Sequence, residues 1–233
     1  MTTTPSTKKN SLPIYALFTA NAISLVGNVL SAIAIPWFVL QTTGSPTQTG
    51  ITGFFTVLPV VLAGFFGGTL VDRLGYKRTS IIADIASGIT TALIPLLYFT
   101  IGLEFWQLMV LVFFGALLDT PGSTARSALV PELAELAQMP IERATSLIHI
   151  IERGARLIGA PLGGLLIALM GTENVLWLDA ASFFISAGII AVRSKSISQW
   201  STKRKNRALD ISLNYERACG LSTTTNSCWQ LLS

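Results

Sequence analysis

Apolar residues run along the chain in six long stretches, near 14–41, 48–71, 79–101, 106–127, 144–170 and 175–193, separated by short polar segments. A helix rising ~1.5 Å per residue needs about 20 residues to cross the hydrocarbon of a bilayer. Five of the stretches clear that length and the last is marginal. Spanning strands would need only about ten residues in strict alternation. These stretches are too long for that and do not alternate. Each therefore predicts one continuous helix, because a helix satisfies its own backbone in lipid. The pattern divides the chain into a polar segment at 1–12, a six-helix bundle over 13–194 and a polar, basic tail at 195–233. The first segment lacks the apolar core and small-residue cleavage site of a secretory signal. The tail reads as disordered, or as a basic segment resting on anionic headgroups.

Composition agrees with membrane residence. Of 233 residues, 51% are hydrophobic and 12% charged, and the mean hydropathy is +0.60. Soluble domains carry roughly 25% charged residues. This chain has too little polar surface for a soluble globule and too much apolar content for bulk disorder. Cys219 and Cys228 both fall in the tail, and His149 is the single histidine. A multi-histidine metal centre is excluded, and the cysteine spacing is not that of a zinc site. Nothing resembles a nucleophile–base arrangement, so neither an enzyme activity nor a cofactor is expected.

The net charge of +4 and pI near 9.3 could suggest nucleic acid, but the cations alternate with the predicted spans. Connections 42–47, 102–105 and 172–174 hold no Lys or Arg. The other side collects Lys8, Lys9, Arg73, Lys77, Arg78, Arg143 and Arg193, then Lys195, Lys203, Arg204, Lys205 and Arg207. By the positive-inside rule both termini are expected in the cytoplasm. The expected partners are lipid and a small molecule, not nucleic acid.

Polar residues inside spans face a bundle interior or a wet cavity, because lipid penalises them. On the first helix Asn21, Ser24, Asn28 and Ser31 fall within a sector of about 80°, serving either interhelical hydrogen bonds or a substrate path. Pro36 is expected to kink this helix. On the fifth, His149, Glu152, Arg153 and Arg156 share a sector of about 100°, and Glu152 and Arg156 are spaced for an i,i+4 ion pair. Arg156 lies ~18 Å from the helix start, near mid-membrane, so the arginines are expected to point inward, to carboxylates or water. The face is either a buried ion-pair network or a cavity lining. Asp84, Asp119 and Asp179 are further acids within spans. Each could carry protons or simply pair with Arg126, Arg153 or Arg156; of these acids Asp84 and Asp119 are the candidates for coupling. The i,i+4 pairs Gly64/Gly68 and Gly159/Gly163 are expected to permit close helix approach.

The turn after the second helix reads Gly68-Thr69-Leu70-Val71-Asp72-Arg73-Leu74-Gly75-Tyr76-Lys77-Arg78. In residue types, spacing and position it resembles the signature loop of the major facilitator superfamily. In that reading Gly68 lets helices approach, Asp72 caps a helix across a gate, Arg73, Lys77 and Arg78 hold the turn in the cytoplasm, and Gly75 permits the reversal. Gly159-Ala160-Pro161-Leu162-Gly163-Gly164 resembles the Gly-Pro/Gly-Gly element of antiporter members, with Ala160 inserted. The run from Leu178 to Ala187, with Pro121 and the segment from Arg126 to Pro131, is similar to the macrolide-efflux and enterobactin-exporter branch. Two departures stand out. The segment from Phe113 to Asp119 has no arginine where the superfamily places a proton-relay one, and the first helix has asparagines where many antiporters have an acid.

The resemblance implies an all-α membrane protein with six transmembrane helices, the N-terminal half of the major facilitator fold. It implies proton-coupled export of an amphipathic drug or siderophore-like molecule across a bacterial inner membrane. The superfamily fold uses two six-helix halves around a central cavity. The chain is accordingly expected to be a truncated, non-transporting copy, or a half-subunit that pairs with a second six-helix half. Asn21, Asn28, His149, Glu152, Arg153 and Arg156 are its expected cavity positions.

Overall fold

The computed structural model describes residues 11–192, apart from the side chains at positions 66, 67, 70 and 72. The tail with its basic cluster and two cysteines, residues 1–10, and the side chain of Asp72 lie outside the described residues. Six helices fill the described chain: α1 Leu12–Thr43, α2 Pro46–Leu74, α3 Tyr76–Thr100, α4 Phe105–Leu136, α5 Ile141–Met170 and α6 Thr172–Val192. All six are long and apolar enough to cross a membrane.

The helix ends follow local chemistry. Gly44 closes α1 in the left-handed conformation, and its N–H donates to the Leu40 carbonyl at 2.9 Å. One residue later Ser45 caps α2, its hydroxyl accepting from the Gln48 N–H at 3.3 Å, with Pro46 in the first turn. Before α4, Glu104 and Gln107 form a reciprocal capping box. Prolines 36, 59, 95, 121, 131 and 161 all lie inside helices. Membrane helices tolerate them because neighbouring groups re-satisfy the freed carbonyls. α1 is assigned as one helix through Pro36.

The largest departure from the apolar pattern is α4, which continues to Leu136 instead of stopping near 127. Its last turns bury Leu129, Val130, Leu133 and Ala134. This is a one-sided stripe, so the helix outlasts its uniformly apolar part. At 32 residues it is ~48 Å long, well beyond a ~30 Å hydrocarbon layer.

The chain alternates direction, giving the bundle two ends. Ser11, Tyr15 and the 137–143 connection meet at one end, as do Leu12 and Val192. Gln41, the 101–104 connection and Glu173 meet at the other. α4 packs against α3 and α2, and α1 against α5 and α2. α6 sits on α1 and α3: a Cβ at Gly88 would stand 3.2 Å from Phe183, and one at Gly27 would strike Ser182 and Asp179.

The apolar core lies toward the second end. Phe38 and Val39 of α1, Ile94 of α3, Leu108 and Val112 of α4, and Leu176 of α6 are buried together. Phe38 and Tyr98 meet edge to face at 5.1 Å. The outer surface stays apolar: Phe65, Leu157 and Val192 are each 77% exposed, and Leu169 is 73% exposed. Apolar exposure on this scale around a bundle fits lipid, not water.

Candidate functional site

Below the apolar core the packing turns polar. Asp84 of α3 is completely buried, and Arg126 of α4 is 2% exposed. Their side chains form an ion pair, Nη1 to Oδ1. The other oxygen of Asp84 accepts from the Ser186 hydroxyl of α6 at 2.7 Å. The second guanidinium nitrogen of Arg126 stands 3.8 Å from Asp119, one turn-pair back on the same helix. Asp119 also accepts from the Asn28 amide of α1 at 3.1 Å. Nearby, Ser31 of α1 donates to Asp179 of α6, whose other oxygen accepts from Ser182 at 3.4 Å. Four helices, α1, α3, α4 and α6, are thus joined by side-chain polar contacts.

The spacing explains why these residues meet. Asp119 and Arg126, Asp179 and Ser186, and Ser24 and Ser31 are each seven apart, which returns a helix to within about 20° of the same direction. Small residues bring the backbones close enough. A Cβ at Gly122 would lie 2.7 Å from the Ala83 side chain, between α4 and α3.

Beside this network lies a cavity of about 230 Å³ reached by α1, α2, α3, α4 and α6. Asn28, Ser31, Asp119 and Asp179 line it together with Thr56, Ser87, Thr91 and Thr120, and Val60 and Phe183 are among its apolar lining. Asp119 is 22% exposed there, and its Oδ1 has no hydrogen-bond partner. The Nε of Arg126 is likewise buried without a partner.

The expected site residues divide. Asn28 reaches the cavity. Asn21 is buried on α1. Asp84 and Asp119 both turn to Arg126, resolving which arginine takes them. The α5 residues do otherwise. Arg153 and Arg156 are exposed on the six-helix unit and not turned into it, and among the described residues no carboxylate lies within ion-pair distance of either. The Glu152–Arg156 pair does not form. Glu152 instead meets His149, 3.3 Å away and 62% exposed, because i,i+3 neighbours compete for the same carboxylate.

The glycine elements divide in the same way. Gly159 and Gly163 face α1: a Cβ would come within 2.7 Å of Val29 and 3.2 Å of Ile33. Pro161 and Gly164 are exposed. Gly64, Gly68 and Gly164 have nothing within 4 Å of an added Cβ, so the close approach expected at Gly64/Gly68 is absent from the described bundle. The pattern of small residues marks a face but not whether a neighbour occupies it.

In the turn, Gly75 alone separates α2 from α3, at φ +82° and ψ 145°, a conformation nearly reserved for glycine. Arg73 and Arg78 are exposed there, and Lys77 is half-buried.

Sequence reasoning weighed Ser31, Asp179 and Arg126 only as alternatives and gave Ser186 no polar role. The available signal was the seven-residue recurrence of polar groups on three apolar helices.

The model of the Major Facilitator Superfamily matches residues 17–218. The multidrug efflux pump Tap of Mycolicibacterium fortuitum is 34% identical over 184 residues, covering 78% of this chain and 44% of that protein. The macrolide efflux protein A of Streptococcus pyogenes is 20% identical over 181 residues, covering 78% of this chain and 44% of its own. The staphyloferrin A transporter of Staphylococcus aureus is 22% identical over 170 residues, covering 72% and 42%. The chain therefore spans less than half the length of these relatives. The match over most of the sequence, six membrane-crossing helices and the loop closed by Gly75 agree: the chain belongs to the Major Facilitator Superfamily.

Proposed function

We propose that these six helices form one wall of a secondary exporter of amphipathic small molecules in a bacterial inner membrane, oriented with Arg73, Lys77, Arg78 and Arg143 in the cytoplasm. The observation that carries the reading is the partly open Asp119, placed between a buried Arg126–Asp84 pair and a cavity shared by five helices. Buried charge of this kind is expensive in lipid and marks substrate or ion paths. Family membership and relatives named as efflux pumps support the same direction. Asp119 and Asp84 are the proposed coupling groups, and the loop from Gly68 to Arg78 is the proposed gate.

A second set of helices completes the path. What supports this is the α5 surface: Arg153 and Arg156 stand exposed on a helix otherwise bearing Leu157, Ile158 and Leu165. Arginines at that depth do not face hydrocarbon. A partner covering α5 would bring them acids or water, and would make His149 and Glu152 part of the same lining.

The test is accumulation of a fluorescent amphipathic dye in cells that lack their main exporters and make the chain together with a second six-helix half from a full-length relative. The wild-type chain lowers accumulation relative to the empty vector, and Asp119→Asn abolishes the difference while remaining in the membrane fraction. Equal accumulation with wild-type chain and vector, both halves being present in the membrane, overturns the proposal.

A further inference from the structure

The ionisable groups around the cavity are of one sign. Asp119 and Asp179 both line it, and among the described residues no Lys, Arg or His does. The neighbouring cation, Arg126, is paired with Asp84 behind the wall and stands 3.8 Å from Asp119. The local set thus holds three carboxylates, Asp84, Asp119 and Asp179, against one guanidinium. Neither lining acid is exhausted by its partners. Asp119 meets Arg126 only at 3.8 Å and accepts one hydrogen bond, from Asn28, while Asp179 is held by the hydroxyls of Ser31 and Ser182, which bring no charge. The remaining wall mixes apolar side chains, including Ile35, Val60 and Phe183, with the uncharged Thr56, Ser87, Thr91 and Thr120.

We infer that this cavity receives the cationic end of its ligand: a single ammonium-type centre, protonated or quaternary, carried on an apolar body. A carboxylate in a low-dielectric pocket attracts a cation far more strongly than it would in water. The same two acids repel carboxylate or catecholate groups, so an iron-chelating anion is the wrong charge for this wall. The volume of about 230 Å³ admits a trimethylammonium group with one aromatic ring, and a larger drug would leave its remaining body outside. Asn28 and Ser31 orient the two acids toward the cavity from α1. This assignment rests on the exporter reading for its biological meaning, but its test does not need transport.

The experiment is equilibrium binding to the purified chain in lipid nanodiscs, using three radiolabelled probes of one shape class. Benzyltrimethylammonium is the cation, neopentylbenzene its neutral carbon isostere, and benzenesulfonate the anion. After subtraction of binding to empty nanodiscs, the cation binds saturably and at least ten-fold more tightly than the other two. Asp119→Asn and Asp179→Asn each weaken the cation at least ten-fold and leave the neutral probe unchanged. Equal affinity for the cation and its neutral isostere overturns the inference, and so does preference for the anion. The probe comparison on wild-type protein stands even where a variant fails to fold. Cation binding without export in the dye assay would sink the exporter reading alone. Export without charge discrimination in binding would sink only this inference.

Discussion

Arg126 and Asp84 lie 42 positions apart, yet their side chains form an ion pair almost sealed from solvent. The pair ties α4 to α3, and Ser186 extends it to α6. Breaking a buried pair by removing one partner costs about 3–5 kcal/mol, because a charge is left uncompensated. Asp84→Asn is expected to lower the free energy of unfolding in detergent by an amount in that range. The double variant Asp84→Leu, Arg126→Met is expected to lose less than the single one. Unfolding of the three proteins by fluorescence or circular dichroism decides the order.

Glycine positions that look alike in sequence should respond differently. At Gly159 a Cβ would press within 2.7 Å of Val29, and overpacking of this kind costs typically about 1–3 kcal/mol. At Gly64 and Gly164 an added Cβ meets nothing within 4 Å. Gly159→Ala is therefore expected to destabilise the isolated six-helix chain. Gly64→Ala and Gly164→Ala should stay within about 0.5 kcal/mol of wild type. Thermal unfolding in micelles measures all three.

The α2–α3 reversal depends on a backbone conformation with φ +82° at Gly75. Gly75→Ala forces a Cβ into it at about 1–3 kcal/mol. Lower membrane yield and a lower melting temperature are expected, with no comparable effect from Gly53→Ala on the open side of α2. Wild-type stability in Gly75→Ala would show that the turn accepts another geometry.

Orientation can be read by thiol labelling in a Cys219→Ser, Cys228→Ser background. Lys77→Cys is expected to react with an impermeant maleimide only in inverted vesicles, and Gly102→Cys only in intact cells. Labelling of Lys77→Cys from outside would reverse the proposed topology.

Much of the fold was legible, because crossing a bilayer demands apolar length and little else. All six helices occur where the apolar runs lie, and Gly75 sits where the reversal is needed. The end of α4 was missed because Glu132 and Glu135 interrupt the apolar run while Leu129 and Leu133 keep one side buried. The site was legible only in part. Asn28, Asp84 and Asp119 stand out against apolar neighbours, and their mutual approach through Arg126 depends on crossings at Gly122 and Gly27 that no spacing rule supplies. The α5 face shows the limit most clearly. Helical periodicity placed His149, Glu152, Arg153 and Arg156 together, but gave no information on which side of α5 its neighbours stand.

The distribution of polar contacts carries a mechanical consequence. At the depth of the cavity, the described side-chain hydrogen bonds between helices involve α1, α3, α4 and α6. α2 and α5 touch this frame through apolar side chains and glycine notches, as at Phe55 with Phe113 and Gly159 with Val29. Dispersion contacts are individually weak and have no preferred direction, so they let a rod slide or tilt where a directional bond would hold it. Four helices thus act as a braced frame, and α2 and α5 are the two staves left free to shift against it.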